Sequence, residues 1–133
     1  MRTLLILISL LVSSTLHAND IARAPAAFDY ANGHAIFVDF TAAEYRMVYD
    51  VAARSAVVHS KITFVASEAG RPVFDMVANP SAAKLDGQTV SIESLSLPNN
   101  ASQARAIAAN VTAGEHVLEI VSPLTELVEW DGV

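Results

Sequence analysis

Apolar and polar residues alternate along most of the chain after Gly33, with the period of two that is typical of half-buried β-strands. The clearest case is residues 54–66 (RSAVVHSKITFVA), where His59, Lys61 and Thr63 share one face. The opposite face is mainly apolar and consists of Ala56, Val58, Ser60, Ile62, Phe64 and Ala66. Further strand-like segments are residues 35–40, 45–51, 73–77, 89–97 and 117–121. The pattern therefore predicts a succession of short strands around one core.

Turn signals separate these segments. Asp86-Gly87 predicts a type I′ hairpin, because Asp and Gly tolerate the two positive φ angles that this turn requires. Other turns or strand ends are predicted at residues 69–72, 79–80 and 98. Residues 105–111 are ambiguous, since their alanines favour a helix while their alternation favours a strand. We interpret them as one arm of a second hairpin that turns at Gly114.

Together these signals predict an all-β fold. About seven to eight short strands, with turns at short intervals, are typical of an antiparallel β-sandwich, which we place at residues 35–133. Residues 19–34 are rich in Ala and small polar residues, and we expect a lead-in segment with little fixed structure of its own. The predicted core consists of Met47, Tyr49, Val58, Ile62, Phe64, Phe74, Val90, Ile92, Leu118 and Ile120.

The beginning of the chain has the features of a secretory signal peptide. Arg2 precedes the short apolar run 4–12 (LLILISLLV), and Ala18 is a suitable residue for the end of a cleavage site. The run is far shorter than the ~20 residues of a membrane-spanning helix. We therefore predict a signal peptide at residues 1–18 and a secreted or periplasmic protein. A buried N-terminal helix is the alternative.

Composition limits the partners. The 133 residues fit one domain, and the 8 basic and 14 acidic residues give a formal charge of −6. Removal of residues 1–18 leaves 115 residues and, with Arg2 gone, a charge of −7. This acidity argues against a nucleic-acid partner and against binding to an anionic membrane after signal cleavage. The chain has no cysteine, which excludes disulfides, thiolate catalysis and a lipoprotein anchor.

The sequence contains no recognisable catalytic motif. It has no H-E-x-x-H, no Gly-rich phosphate loop and no G-x-S-x-G around a serine. His34, His59 and His116 are far apart, and we expect His116 to be a solvated turn residue, because on a strand it and Glu119 point to opposite faces. The carboxylates Asp29, Asp39, Asp50, Asp75 and Asp86 occur singly. We therefore predict no catalytic, cofactor-binding or metal-binding residue and no cofactor.

The end of the chain suggests a longer protein. Residues 124–130 form another apolar-polar stretch, and Asp131-Gly132 is a hairpin-turn pair with only Val133 after it. A turn without a returning strand would leave an open edge, which natural proteins usually avoid. We expect the chain to be the N-terminal part of something longer, and a complete small protein with a frayed tail is the alternative. Tyr45 and Trp130 are expected to pack in the core or sheet rather than form a binding surface.

Several stretches, in the same order along the chain, carry a family resemblance. They are residues 44–51 (EYRMVYDV), 56–64 (AVVHSKITF), 70–75 (GRPVFD), 85–90 (LDGQTV) and 113–120 (AGEHVLEI). This order resembles the N-terminal β-sandwich of aminopeptidase N-like zinc metallopeptidases, over residues 44–123. Residues 19–43 depart from the usual start, and the zinc motif has no counterpart here. No metal ligand or catalytic residue is therefore carried over.

The resemblance implies a role rather than a reaction. In that family the N-terminal sandwich packs against the catalytic domain and helps to wall the substrate cleft. The first hypothesis is therefore a non-catalytic N-terminal domain or fragment of a secreted metallopeptidase-like protein, whose docking face would be an exposed apolar patch. The second is a stand-alone exported sandwich that binds a protein or a carbohydrate. An independent small enzyme is the least favoured, and the sequence leaves the oligomeric state open.

Overall fold

The computed structural model describes residues 25–96 and 103–130. The predicted signal peptide and the Asp131-Gly132 turn pair lie outside these residues. The described strands are β1 (Phe28–Tyr30), β2 (Gly33–Phe37), β3 (Asp39–Asp50), β4 (Ser55–Ala66), β5 (Arg71–Asp75), β6 (Ala82–Leu85), β7 (Gln88–Val90), β8 (Ile92–Ser94), β9 (Ala104–Ile107) and β10 (Gly114–Pro123). A single 3₁₀ turn, Thr125–Leu127, follows β10 in the described part of the chain.

The strands form two five-stranded sheets that pack face to face, so the predicted β-sandwich is confirmed. The first sheet has the order β1-β2-β5-β9-β8, and the second has the order β3-β4-β10-β6-β7. All described pairings of these strands are antiparallel except that of β2 with β5, which is parallel. The second sheet is built around β4 and β10, whose register extends from Val57↔Pro123 to Ala66↔Gly114.

The core lies between the sheets and confirms the predicted inner faces of β4 and β10. Ile62 and Phe64 of β4 meet Ile36 of β2 and Ile107 of β9 in one buried cluster. Among the residues predicted for the core, those that are buried are Val58, Ile62, Phe64, Leu118 and Ile120. Those that are partly buried against the cluster are Phe74, Val90 and Ile92.

Two residues predicted for the core are exposed. Met47 and Tyr49 lie opposite Val58 and Ala56 of β4, so they project from the core-facing side of the sheet as the alternation predicted. Their side chains are nevertheless open to solvent. The reason is that β3 is the edge strand and, along the part that carries these residues, extends past the cover that the facing sheet provides.

The structure also differs from the predicted strand order. Residues 89–97 do not form one strand, because the chain crosses between the sheets at Ser91, with β7 in one sheet and β8 in the other. The ambiguous residues 105–111 begin as a strand, but the second hairpin is wrong, since β9 pairs with β5 and β8 while β10 lies in the other sheet. In the lead-in segment, Phe28–Tyr30 forms β1 by pairing with β2.

The predicted hairpin at Asp86-Gly87 is confirmed. β6 and β7 pair in an antiparallel register that closes at Leu85↔Gln88. Both turn residues have positive φ angles, +49° at Asp86 and +80° at Gly87, as a type I′ turn requires. The local sequence signal is sufficient here because the turn depends only on its own two residues.

Candidate functional site

Strand β3 is a long exposed edge of the second sheet. It comprises 12 residues, every one of them exposed, and it pairs with β4 along one side only within the described residues. Edge strands present unpaired backbone N–H and C=O groups, and natural proteins usually keep them short or covered. A β-bulge between Phe40 and Ala42 interrupts the pairing near the beginning of β3, and the regular part runs from there to Asp50. None of the residues that the structure describes pairs with the free side of this regular part, which can therefore accept another polypeptide strand.

The core-facing side of β3 carries Tyr45, Met47 and Tyr49, and Val51 follows directly after the strand; we call the apolar surface of these four residues the shelf. The exposed fractions of the first three are 65%, 54% and 55%. They project in one row because their partners on β4 share the buried face of the sheet. Tyr and Met are side-chain types that are enriched in protein interfaces. A contiguous exposed apolar row of this kind is typical of an interaction surface.

Trp130 lies at the end of the shelf, next to the turn that connects β3 with β4. A hollow of about 340 Å³ is lined there by Val51, Ala52, Arg54 and Trp130. The indole is partly buried and its Nε1–H points to the Thr125 carbonyl oxygen at 3.5 Å. The shelf therefore continues into an aromatic hollow at this end of the sandwich. The expectation that Tyr45 packs in the core or sheet is wrong, since its side chain is exposed.

The outer face of the same sheet bears a shallow groove of about 380 Å³ across β3, β4, β10 and β6. One wall is a row in which charges alternate in sign from strand to strand, formed by Glu44, Lys61, Glu119 and Lys84. The single Phe, Tyr or Trp ring among the lining residues, that of Tyr45, projects to the opposite, core-facing side of the sheet. The groove thus offers charges rather than the flat aromatic faces on which a sugar ring could stack.

His116 and Asp86 form a polar pair that the sequence did not predict. His116 Nδ1 lies 2.7 Å from Asp86 Oδ2, and Nε2 lies 3.0 Å from the Thr112 carbonyl oxygen. Its side chain is only 12% exposed, so the expected solvated turn histidine is wrong. Both partners are acceptors, and both ring nitrogens donate when the ring is protonated. The pair ties the β6–β7 turn to the start of β10 and leaves no ring nitrogen for proton transfer.

The environment shifts the pKa of both members. Desolvation lowers the pKa of His116, but hydrogen bonding to Asp86 and to the Thr112 carbonyl outweighs it, and the pKa lies above the ordinary 6.5. Desolvation raises the pKa of Asp86, yet the Val117 backbone N–H at 2.9 Å and the His116 ring bring it below 3.8. The pair is thus charged and stabilising at pH values between the lowered pKa of Asp86 and the raised pKa of His116.

A second histidine, His34, lies beside two carboxylates on the surface. Its Nδ1 is 2.6 Å from Asp29 Oδ1, and its Nε2 is 3.7 Å from Glu68 Oε2. The hydrogen bond with Asp29 raises the pKa of His34, with a smaller contribution from Glu68 and against a desolvation that lowers it. In residues 25–96 and 103–130, no three His, Asp or Glu side chains are arranged to hold a metal ion. These contacts are consistent with a surface ion pair.

Arg71 is a buried charge that joins four elements of the first sheet. Its Nε donates to the Ile107 carbonyl at 2.9 Å, and one terminal nitrogen donates to the Asn32 carbonyl at 2.8 Å. The other terminal nitrogen lies 2.9 Å from Glu93 Oε2, and the guanidinium carbon is 5.6 Å from the centre of the Tyr30 ring. Each of its three nitrogen atoms has a partner within the protein itself, which is the arrangement of a structural clamp.

Comparison with known proteins assigns no role to this chain, so the proposed role rests on the geometry of the structure. The chain matches no family model, no curated protein and no solved structure. Across the part of the chain that the structure describes, no helix has both the length and the apolar character to cross a membrane. Sequence reasoning placed no site residue on β3. The available signal was the Tyr-x-Met-x-Tyr row, which is as typical of an interface as of a core.

Proposed function

We propose that this protein is an exported, non-catalytic β-sandwich that docks another protein surface along β3. The observation that carries the proposal is the 12-residue exposed edge strand with its apolar shelf. A docked strand would pair with the backbone of β3, and apolar side chains of the partner would cover Tyr45, Met47 and Tyr49. Backbone pairing supplies affinity, and the pockets for alternate side chains supply specificity.

The family resemblance supports a more specific form of this proposal. If the chain is the N-terminal sandwich of a secreted metallopeptidase-like protein, its partner surface is a catalytic domain, and the sandwich scaffolds or walls the substrate cleft. That role requires an exposed apolar docking face on the isolated sandwich, and the shelf satisfies this requirement. A stand-alone sandwich that binds a protein partner would use the same surface.

The docking proposal is tested by site-specific photo-cross-linking in the cells that express the protein. The photoreactive residue p-benzoylphenylalanine replaces Tyr45 on the shelf or, as a control, Thr89. Thr89 is also exposed but lies on β7, at the opposite edge of the same sheet. After irradiation, the adducts are separated and their second component is identified by peptide mass spectrometry. We expect one discrete protein adduct from Tyr45 and none from Thr89.

Two results would overturn parts of the proposal. Adducts from Tyr45 that are no more abundant than those from Thr89 would refute docking along β3. The metallopeptidase part is tested by the gene: a reading frame that continues beyond Val133 and encodes H-E-x-x-H supports it, whereas a stop codon there contradicts it. A second component that bears such a motif would also support it.

A further inference from the structure

We propose that the occupant of β3 is a second copy of this chain, whose β3 pairs antiparallel with the first around a two-fold axis at Tyr45. This inference rests on the proposed function, because it names the partner of the same surface. The pairing would join the second sheet of one copy, edge to edge, with the second sheet of the other copy into one continuous sheet. The support comes from the order of faces and charges along β3.

The alternation of faces restricts where the axis can lie. In a two-fold antiparallel pairing, a residue that lies a given number of positions before the axis pairs with the residue that lies the same number of positions after it in the second copy. Paired residues must project to the same face of the sheet. The axis must therefore pass through a residue rather than between two residues. The regular part of β3 begins at Ala42, after the bulge, and the strand ends at Asp50. An axis at Tyr45 pairs every position from Ala42 to Val48 within this regular part.

The charges of β3 then select among the remaining axes. An axis at Tyr45 places Glu44 against Arg46 of the second copy, and by symmetry does so twice. An axis at Glu44 or at Arg46 sets two like charges against each other, and an axis at Met47 sets Glu44 against Asp50. An axis at Val48 pairs Arg46 with Asp50, but only five residues of the strand then overlap. Like charges directly opposite each other destabilise a sheet, so Tyr45 is the favoured axis.

The charges of the neighbouring strands agree with this register. On the outer face, charges alternate in sign along the row that runs from Lys84 through Glu119 and Lys61 to Glu44. With the axis at Tyr45, Arg46 of the second copy is the next residue of this row. The alternation therefore continues by one residue, Arg46, across the boundary between the copies.

The core-facing side is complementary as well. The axis at Tyr45 stacks the two Tyr45 side chains beside each other and places Met47 against Ala43 of the second copy. A large side chain thus meets a small one on both sides of the axis. The two shelves merge into one apolar surface, and the exposed part of Tyr45 and Met47 is reduced on both copies. This match of size and polarity is the mark of an isologous interface.

The register is tested by charge exchange in the protein purified as the cells produce it. Sedimentation velocity across a concentration series measures the monomer–dimer equilibrium of the wild type, of Glu44→Arg, of Arg46→Glu and of the double variant. We expect a wild-type dimer, a Kd raised by about tenfold or more in either single variant, and recovery in the double variant. Asp75→Arg is the matched control, a charge reversal at an exposed position of β5 in the other sheet that should leave the Kd unchanged. Circular dichroism confirms that each variant is folded.

A disulfide provides the second readout, and the lack of native cysteine makes it unambiguous. Tyr45→Cys places two thiols directly opposite each other at the axis, within reach of a disulfide. Mild oxidation should then give a covalent dimer of Tyr45→Cys. Val48→Cys would form such a dimer only if the axis were at Val48, so we expect none from that variant. The reverse result would overturn the register.

The outcomes separate this inference from the docking proposal. A wild-type protein that stays monomeric at all concentrations, while Tyr45 cross-links to a different protein, refutes the second copy and leaves docking along β3 intact. A dimer whose Kd is unaffected by Arg46→Glu, or is not restored in the double variant, also refutes the inference. A cross-link between two copies of the chain supports both proposals.

Discussion

The clamp formed by Arg71 offers the sharpest test of how the first sheet is held together. The change is Arg71→Ala, which removes the hydrogen bonds to the Ile107 and Asn32 carbonyls and the ion pair with Glu93. Arg71 is 7% exposed and Ile107 is fully buried, so the Ile107 carbonyl loses its partner at a place that water reaches poorly, whereas Asn32 is exposed and its carbonyl can be hydrated. A buried polar group left without a partner costs about 1–3 kcal/mol.

The ion pair adds less than these hydrogen bonds. The side chain of Glu93 is 41% exposed, and water can replace the guanidinium there. We therefore expect Arg71→Ala to lower the free energy of unfolding by about 3 kcal/mol. Glu93→Gln, which removes the charge but keeps an acceptor, should cost about 1 kcal/mol or less. Arg71→Lys should fall between the two, because an ammonium cannot reproduce the planar fork of donors.

Urea unfolding measures these differences. Far-ultraviolet circular dichroism follows the sheets and the fluorescence of the single tryptophan follows the other end of the sandwich, and their agreement establishes a two-state transition. With an m-value of about 1–3 kcal/mol per molar, the expected loss moves the midpoint of Arg71→Ala by more than about 1 M. A midpoint within ~0.3 M of the wild type would refute the clamp, as would a larger effect of Glu93→Gln than of Arg71→Ala.

Three further predictions concern the core, a close contact and pH. Ile62→Asp should lower the free energy of unfolding by several kcal/mol, by burying an unpaired charge, and wild-type thermal stability would contradict the assigned inner face. Gly70→Ala should cost about 1–3 kcal/mol in urea unfolding, because its Cβ would lie 2.6 Å from Ile36 Cγ2; an unchanged midpoint would contradict this close packing. The raised pKa of His116 means that, while Asp86 is ionised, the stability from the pair is complete below pH 6.5 and is lost as the pH rises through the raised pKa. Asp86→Asn should flatten this alkaline loss, which we expect to be about 1 kcal/mol or less because Asp86 is half exposed, and an unchanged slope would contradict the pairing.

Local patterns predicted the elements that depend on few residues. The inner face of β4 and the Asp86-Gly87 turn are examples, because alternation and positive φ are properties of adjacent residues. The partners of a strand are different, since they depend on residues far along the chain. Residues 89–97 alternate throughout, yet the chain changes sheets at Ser91, and β9 pairs with strands that precede it rather than with β10.

The candidate surface shows the same division. Alternation correctly placed Tyr45, Met47 and Tyr49 on the core-facing side of β3, but it could not show whether anything covers that side. The His116–Asp86 pair was missed because its members are 30 residues apart and meet only once β6 and β10 lie side by side.

By itself, the sequence determined the all-β class, the faces of the strands and the acidic, cysteine-free composition. These properties follow from the composition and from the polarity and stereochemistry of residues that are adjacent in sequence, so they do not depend on how distant parts of the chain pack. Only the tertiary structure decided which strand lies at the edge and how far the facing sheet extends over it. Coverage depends on the length of the facing strands, which have three to five residues each, whereas β3 has 12. For that reason the row of residues on the core-facing side is buried on β4 but forms an exposed shelf on β3.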